Sequence, residues 1–221
     1  MEQTILTKDQ ETALALVGKD TTLAPLFYLS GGTALAAFYL NHRYSDDLDF
    51  FTDTKDFPQI AVERIAEDIR QAVDAEKTEY QRLHDRRIFF FQKDKGDELK
   101  IEFTAYPFVA IHPRVVYRGM MVDSLEDLAA NKIMALMDRI EPKDFVDLYF
   151  LLSDKHLTLE HLRALVRQKF HFVLNPITLG SEFAKVRLIT ELPRMIRTLT
   201  LEELKHFFTN RAKQIRTDVL I

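Results

Sequence analysis

The chain has no cysteine among its 221 residues. Disulfides, thiolate nucleophiles, zinc–thiolate centres and iron–sulfur clusters are therefore excluded, and any metal must sit on oxygen or imidazole. The same absence fits a reducing cytoplasm. Glycine and proline are scarce and scattered, 6 and 7 residues, so no long flexible linker is marked, and no repeat or low-complexity tract is found. No window approaches 18 uninterrupted apolar residues, and the first twenty residues carry acids where a signal peptide has a basic start and an apolar run. Secretion and membrane spanning are not expected.

What is present is an ordinary globular composition, 47% apolar and 29% charged, with chain enough for one large domain or two small ones. The net charge of −4 hides an asymmetry. Residues 1–122 hold 15 basic against 20 acidic side chains, whereas residues 158–221 hold 11 against 6. A basic rear segment attracts polyanions such as RNA, and an acidic front half can hold divalent cations; solvated helix faces explain the same counts more blandly.

Hydrophobic periodicity predicts a helix over 8–18, a buried strand at 26–29 running into Gly31-Gly32, and a short helix over 33–40. A strand over 47–51 and an amphipathic helix over 58–73 follow, then strands near 78–84, 87–93 and 99–105. After Met121 the pattern becomes helical throughout, with helices expected at 124–139, 142–152, 158–170, 178–188 and 200–216. The reading is α+β, with an α/β unit over 1–122 and a helical bundle over 123–221.

Three features of the front half bear chemistry. Gly31-Gly32-Thr33 stands where a strand gives way to a helix, a place where backbone N–H groups can face phosphate, although a plain turn has the same look. Asp47 and Asp49 project from one face of a strand, which suits a hard cation or an exposed strand face. Glu102, centred in Ile101-Glu102-Phe103, offers a third carboxylate if a neighbouring strand carries it. Asp97 and Glu98 compete for that place from the strand's start. Three such acids on two Mg²⁺ ions would form a two-metal phosphoryl-transfer site. The seven histidines, at 42, 84, 112, 156, 161, 171 and 206, show no ligand spacing, and no P-loop follows Gly31-Gly32. The Phe89-Phe90-Phe91 run reads as strand core, and Phe170-His171-Phe172 as helix packing.

The run Ser30-Gly31-Gly32-Thr33-Ala34-Leu35, then Arg43-Tyr44-Ser45-Asp46-Asp47-Leu48-Asp49-Phe50, resembles the nucleotidyltransferase signature, and in particular the AbiEii/AbiGii toxin family of bacterial abortive-infection toxin–antitoxin pairs. Downstream, Glu126-Asp127-Leu128, Lys132, Ala135-Leu136 and Arg139, followed by Lys143-Asp144 and Asp147-Leu148, resemble that family's second half. The resemblance covers residues 28–149 and implies an N-terminal nucleotidyltransferase-like mixed sheet with flanking helices, followed by the helical bundle. It implies that Gly31, Gly32 and Thr33 hold a triphosphate. Asp47, Asp49 and Glu102 would bind Mg²⁺, with Glu102 as a base for the acceptor hydroxyl. Lys132 and Arg139 would neutralise phosphate charge, Arg43 and Ser45 would order the loop or touch phosphate, and Asp144 would act near the site. The expected activity is NMP transfer from an NTP to an acceptor, RNA and especially a tRNA 3′ end, in the cytoplasm, with a cognate antitoxin as partner and no membrane role. A non-catalytic binding module and a small-molecule nucleotidyltransferase are the alternatives.

Overall fold

The computed structural model describes residues 5–55, 58–154 and 157–219; His156 lies outside them. Seven strands form one mixed sheet: β1 (Tyr28–Ser30), β2 (Asp47–Thr52), β3 (Lys77–Leu83), β4 (Arg86–Gln92), β5 (Glu98–Ala105), β6 (Val115–Tyr117) and β7 (Met120–Val122), in the order β3-β4-β5-β2-β1-β7-β6. The central β2 runs antiparallel to β1 and parallel to β5, while β7 runs parallel to β1.

One face of the central strands is buried. Leu48, Phe50, Ile101 and Phe103 are buried there, beneath α1 (Lys8–Lys19) and α3 (Gln59–Ala72). Thr7 caps α1 through a capping box with Gln10. The buried residues of α3, Val62, Ile65, Ala66 and Ile69, follow a helical stripe; each large aliphatic among them contributes roughly 1.5–3 kcal/mol. After the sheet come α4 (Leu125–Asp138), α5 (Pro142–Asp154), α6 (Leu159–Phe170), α7 (Pro176–Ala184) and α8 (Leu201–Val219), with α4 packed on α5 and α6, and α8 packed on α5 and α7.

Two elements differ from the sequence reading. The helix expected from residue 33 already starts at Gly31 as α2 (Gly31–Leu35) and widens into a π-turn over Ala36–Leu40 that ends at Asn41, whose φ is 52°. Both glycines thus lie inside the first helical turn. The β6–β7 hairpin was not expected at all. Its three-residue strands are joined by Arg118-Gly119, both at positive φ, and a hydrophobic pattern cannot establish a period over so few residues.

Candidate active site

Alternation along β2 puts Asp47, Asp49 and Phe51 on the open face and Leu48, Phe50 and Thr52 in the core. Register then supplies the third acid. Asp49 is paired with Glu102 across the parallel β2–β5 ladder and with Ser30 across β1. Glu98 sits exposed at the start of β5, too far along the strand to share that position.

The acids are held in unequal ways. Asp47 accepts from Lys100 Nζ at 3.0 Å and faces Lys143 Nζ at 4.0 Å. Glu102 is buried and clasped by both Nε and Nη2 of Arg86, while Thr104 donates to it at 2.5 Å. Asp49 has no such clasp: burial, then the charges of Glu102 and Asp47, push its carboxyl up to about 6. Glycine is required beside it. Gly31 has φ +71°, and a Cβ there would stand 2.0 Å from Asp49 Oδ2. A Cβ on Gly32 would meet Arg43 Nη2 at 2.5 Å.

A cationic network forms the opposite wall. Asp147, fully buried on α5, accepts from Arg43 Nε at 2.6 Å, Arg43 Nη2 at 2.9 Å and His42 Nε2 at 2.8 Å, and pairs with Lys132 Nζ at 2.7 Å. Asp144, one turn earlier, pairs with Lys132 Nζ at 2.9 Å and Arg139 Nε at 2.8 Å. The three cations outnumber the two carboxylates, so the network carries net positive charge toward the cleft. Both carboxyls are held below the usual range; burial opposes this, and Lys132 with Arg43 for Asp147, or with Arg139 for Asp144, outweighs it. His42 is kept neutral chiefly by burial, and its Nδ1 has no hydrogen-bond partner among the described residues.

Gly31, Gly32, Arg43, Ser45, Asp47, Asp49, Glu102, Lys132 and Arg139 all line one cleft of about 560 Å³. Thr33 and Asp144 stand behind its wall: the Thr33 hydroxyl donates to the Asp47 carbonyl, and Asp144 fixes Lys132 and Arg139 from below. Sequence reasoning missed Arg86 and Lys100, whose role appears only through strand register, and Lys143, which α5 carries to Asp47, and it gave no role to His42. Asp147, named above only within the family-like run, is buried with Asp144 against Lys132, and Asp144 also holds Arg139. Nor does the basic rear segment supply the cleft's cations: Lys169 is buried on Asp127, Arg194 pairs with Asp46 and Arg197 with Asp154.

Among known proteins, the class is clear. The chain matches the family described as "Nucleotidyl transferase AbiEii toxin, Type IV TA system" over residues 14–218. It belongs to that family and is a nucleotidyltransferase. An uncharacterized protein of Aquifex aeolicus (strain VF5) is 33% identical over 168 residues, 75% of this chain and 76% of that one. The crystal structure of JHP933 from Helicobacter pylori shares the fold at TM-score 0.59 and 22% identity, covering 96% of this chain and 90% of that one. MenT4, a nucleotidyltransferase toxin of Mycobacterium tuberculosis H37Rv, shares it at TM-score 0.51 and 14% identity, covering 94% and 82% respectively. Among the described residues, no helix is long and apolar enough to cross a membrane.

Proposed function

We propose that the chain transfers a nucleoside monophosphate from an NTP to a hydroxyl of RNA, a tRNA 3′ end being the favoured acceptor, in the cytoplasm and under the control of a cognate antitoxin in an abortive-infection system. The convergence of Asp47, Asp49 and Glu102 against Gly31-Gly32 and a cationic wall, all in one cleft, carries this reading.

The donor set fits a hard divalent cation. Asp47 and Asp49 offer oxygens on one strand face, and burial, then the charges of Glu102 and Asp47, raises the Asp49 carboxyl, which a bound cation would offset. Among the described residues no group of three acids or histidines is arranged to hold an ion, and Arg86 occupies both oxygens of Glu102. Asp47 and Asp49 are therefore the residues that would hold Mg²⁺, and Glu102 would join them once Arg86 lets go. Bound there, the ion supplies charge for the transferring phosphoryl group.

In the reaction, the acceptor oxygen bonds to the α-phosphorus and loses its proton, the bond from that phosphorus to the β-phosphate bridging oxygen breaks, and pyrophosphate leaves. Glu102 is the group assigned to take the proton. The Gly31-Gly32 backbone, Arg43, Ser45, Lys132 and Arg139 hold the leaving phosphates, and Asp144 keeps Lys132 and Arg139 oriented.

The test incubates the protein with Mg²⁺, each α-labelled NTP in turn and total bacterial RNA, beside an Asp47→Ala/Asp49→Ala double variant. Label in a discrete RNA band that disappears in the variant is the expected result. NTP binding without label in RNA overturns the RNA acceptor.

A further inference from the structure

Along the open face of β2 the side chains run Asp47, Asp49, Phe51, so Phe51 stands one pleat repeat, about 7 Å, beyond Asp49. There the cleft changes character. The Phe51 ring tilts against Tyr106 at 4.8 Å, Tyr106 meets Phe108 edge-on at 4.8 Å, and Phe108 meets Phe170 edge-on at 4.8 Å. All four line the cleft, and none is fully buried. Rings that pack on one another and leave a face open to a cavity form a stacking surface.

Backbone hydrogen bonds and a buried ion pair brace this wall. Asp127, buried in the first turn of α4, accepts from the backbone N–H of Ile111 at 3.0 Å and of His112 at 3.1 Å, which tethers the loop bearing Tyr106 and Phe108. The same carboxylate takes Lys169 Nζ at 2.7 Å with both side chains wholly buried, which fixes the end of α6 beside Phe170. One carboxylate thus holds both halves of the wall, so little ordering remains to oppose binding.

We propose that the aromatic end is the nucleobase subsite for the NTP. The inference rests on the transferase reading. Along β2 the acids give way to Phe51 within the one cleft, so a triphosphate lying on Gly32, Arg43 and Lys132 with its α-phosphate at Asp47 and Asp49 sends its base toward Phe51, Phe108 and Phe170. The residues named at that end are rings, so the subsite reads ring area rather than a hydrogen-bond pattern and tolerates more than one base.

The test measures binding of 2-aminopurine riboside triphosphate with Mg²⁺ by fluorescence, in a chain with no tryptophan to interfere, and binding of inorganic tripolyphosphate by calorimetry. Wild type, Phe170→Leu and Phe108→Leu are compared. Expected are quenching on binding to wild type, a loss of nucleotide affinity of roughly five- to a hundred-fold in either variant, and unchanged tripolyphosphate binding, which also reports an intact cleft. Equal losses for both ligands overturn the proposal, because the rings then only support the wall. Unchanged nucleotide affinity with lost transfer to RNA also overturns it and gives the rings to the acceptor's base. Wild type that binds neither ligand removes the transferase reading, and this inference with it.

Discussion

At Gly31 two independent demands meet: a φ of +71° and a Cβ position 2.0 Å from Asp49 Oδ2. Gly96 separates them, because it has φ +80° with nothing within 4 Å of its Cβ position. Gly96→Ala meets only the left-handed backbone cost of roughly 1–2 kcal/mol and leaves nucleotidyl transfer unchanged. Gly31→Ala meets that cost and also displaces the Asp49 carboxylate, so transfer falls at least a hundred-fold, by analogy with loss of a transition-state contact. Melting curves and initial rates on the two variants check both statements. Asp49 itself makes a pH prediction. Its folded carboxyl titrates at about 6, above the ordinary value of 3.8, so between these values the folded state holds a proton that the unfolded chain gives up. Metal-free stability attributable to this group therefore falls as pH rises from about 4 through 6. Asp49→Asn should melt higher than wild type at pH 7.5 in EDTA, with the gap closing below pH 4, while losing transfer. A variant that melts no higher would show that the acids are already compensated by Arg86 and Lys100.

Between elements, the Asp147 carboxylate joins α5 to the His42-Arg43 segment and to α4. Its partners are buried, so Asp147→Ala strands Arg43 without its carboxylate, leaves Lys132 on Asp144 alone, and should cost roughly 3–5 kcal/mol in urea unfolding. Asp46→Ala, which breaks the exposed pair with Arg194, should change little. The depressed carboxyls of Asp144 and Asp147 add stability that is present above the unfolded value of 3.8 and lost as pH falls through their lower folded values. Asp147→Asn should accordingly flatten the acid limb of the stability profile. Sequence could not reveal this hub, because the spacing of Asp144 and Asp147 shows a shared helix face but not that the face is buried against Arg43. Where one element carries its own pattern, sequence was enough: α1, α3 and α4 lie within a residue or two of expectation, each marked by a cap or an apolar stripe. The start of α2 was misplaced because two glycines look like a turn, and nothing local shows Gly31 packed on Asp49.

At the scale of the whole molecule, the cleft is made by contacts that no single segment contains. Asp49 and Glu102 are brought together by β2–β5 register, and the aromatic wall by Asp127 joining a loop to α6. The charge asymmetry of the two sequence halves had little bearing on it, since Arg43, Arg86, Lys100, Lys132, Arg139 and Lys143 line the cleft and all precede residue 158. A ligand bound between the sheet and α4 touches both halves of the chain and is bound only when both are folded. Mg²⁺ and NTP at a hundred times the dissociation constant should therefore stabilise the protein by about 2.7 kcal/mol. In a chain of this size that raises the melting temperature by roughly 5–10 °C. The Asp47→Ala/Asp49→Ala protein should show a much smaller rise with Mg²⁺ and NTP, because it lacks the oxygens for the ion but keeps the cationic wall. Equal rises in both proteins would place the nucleotide on the cations alone and remove Asp47 and Asp49 from its binding.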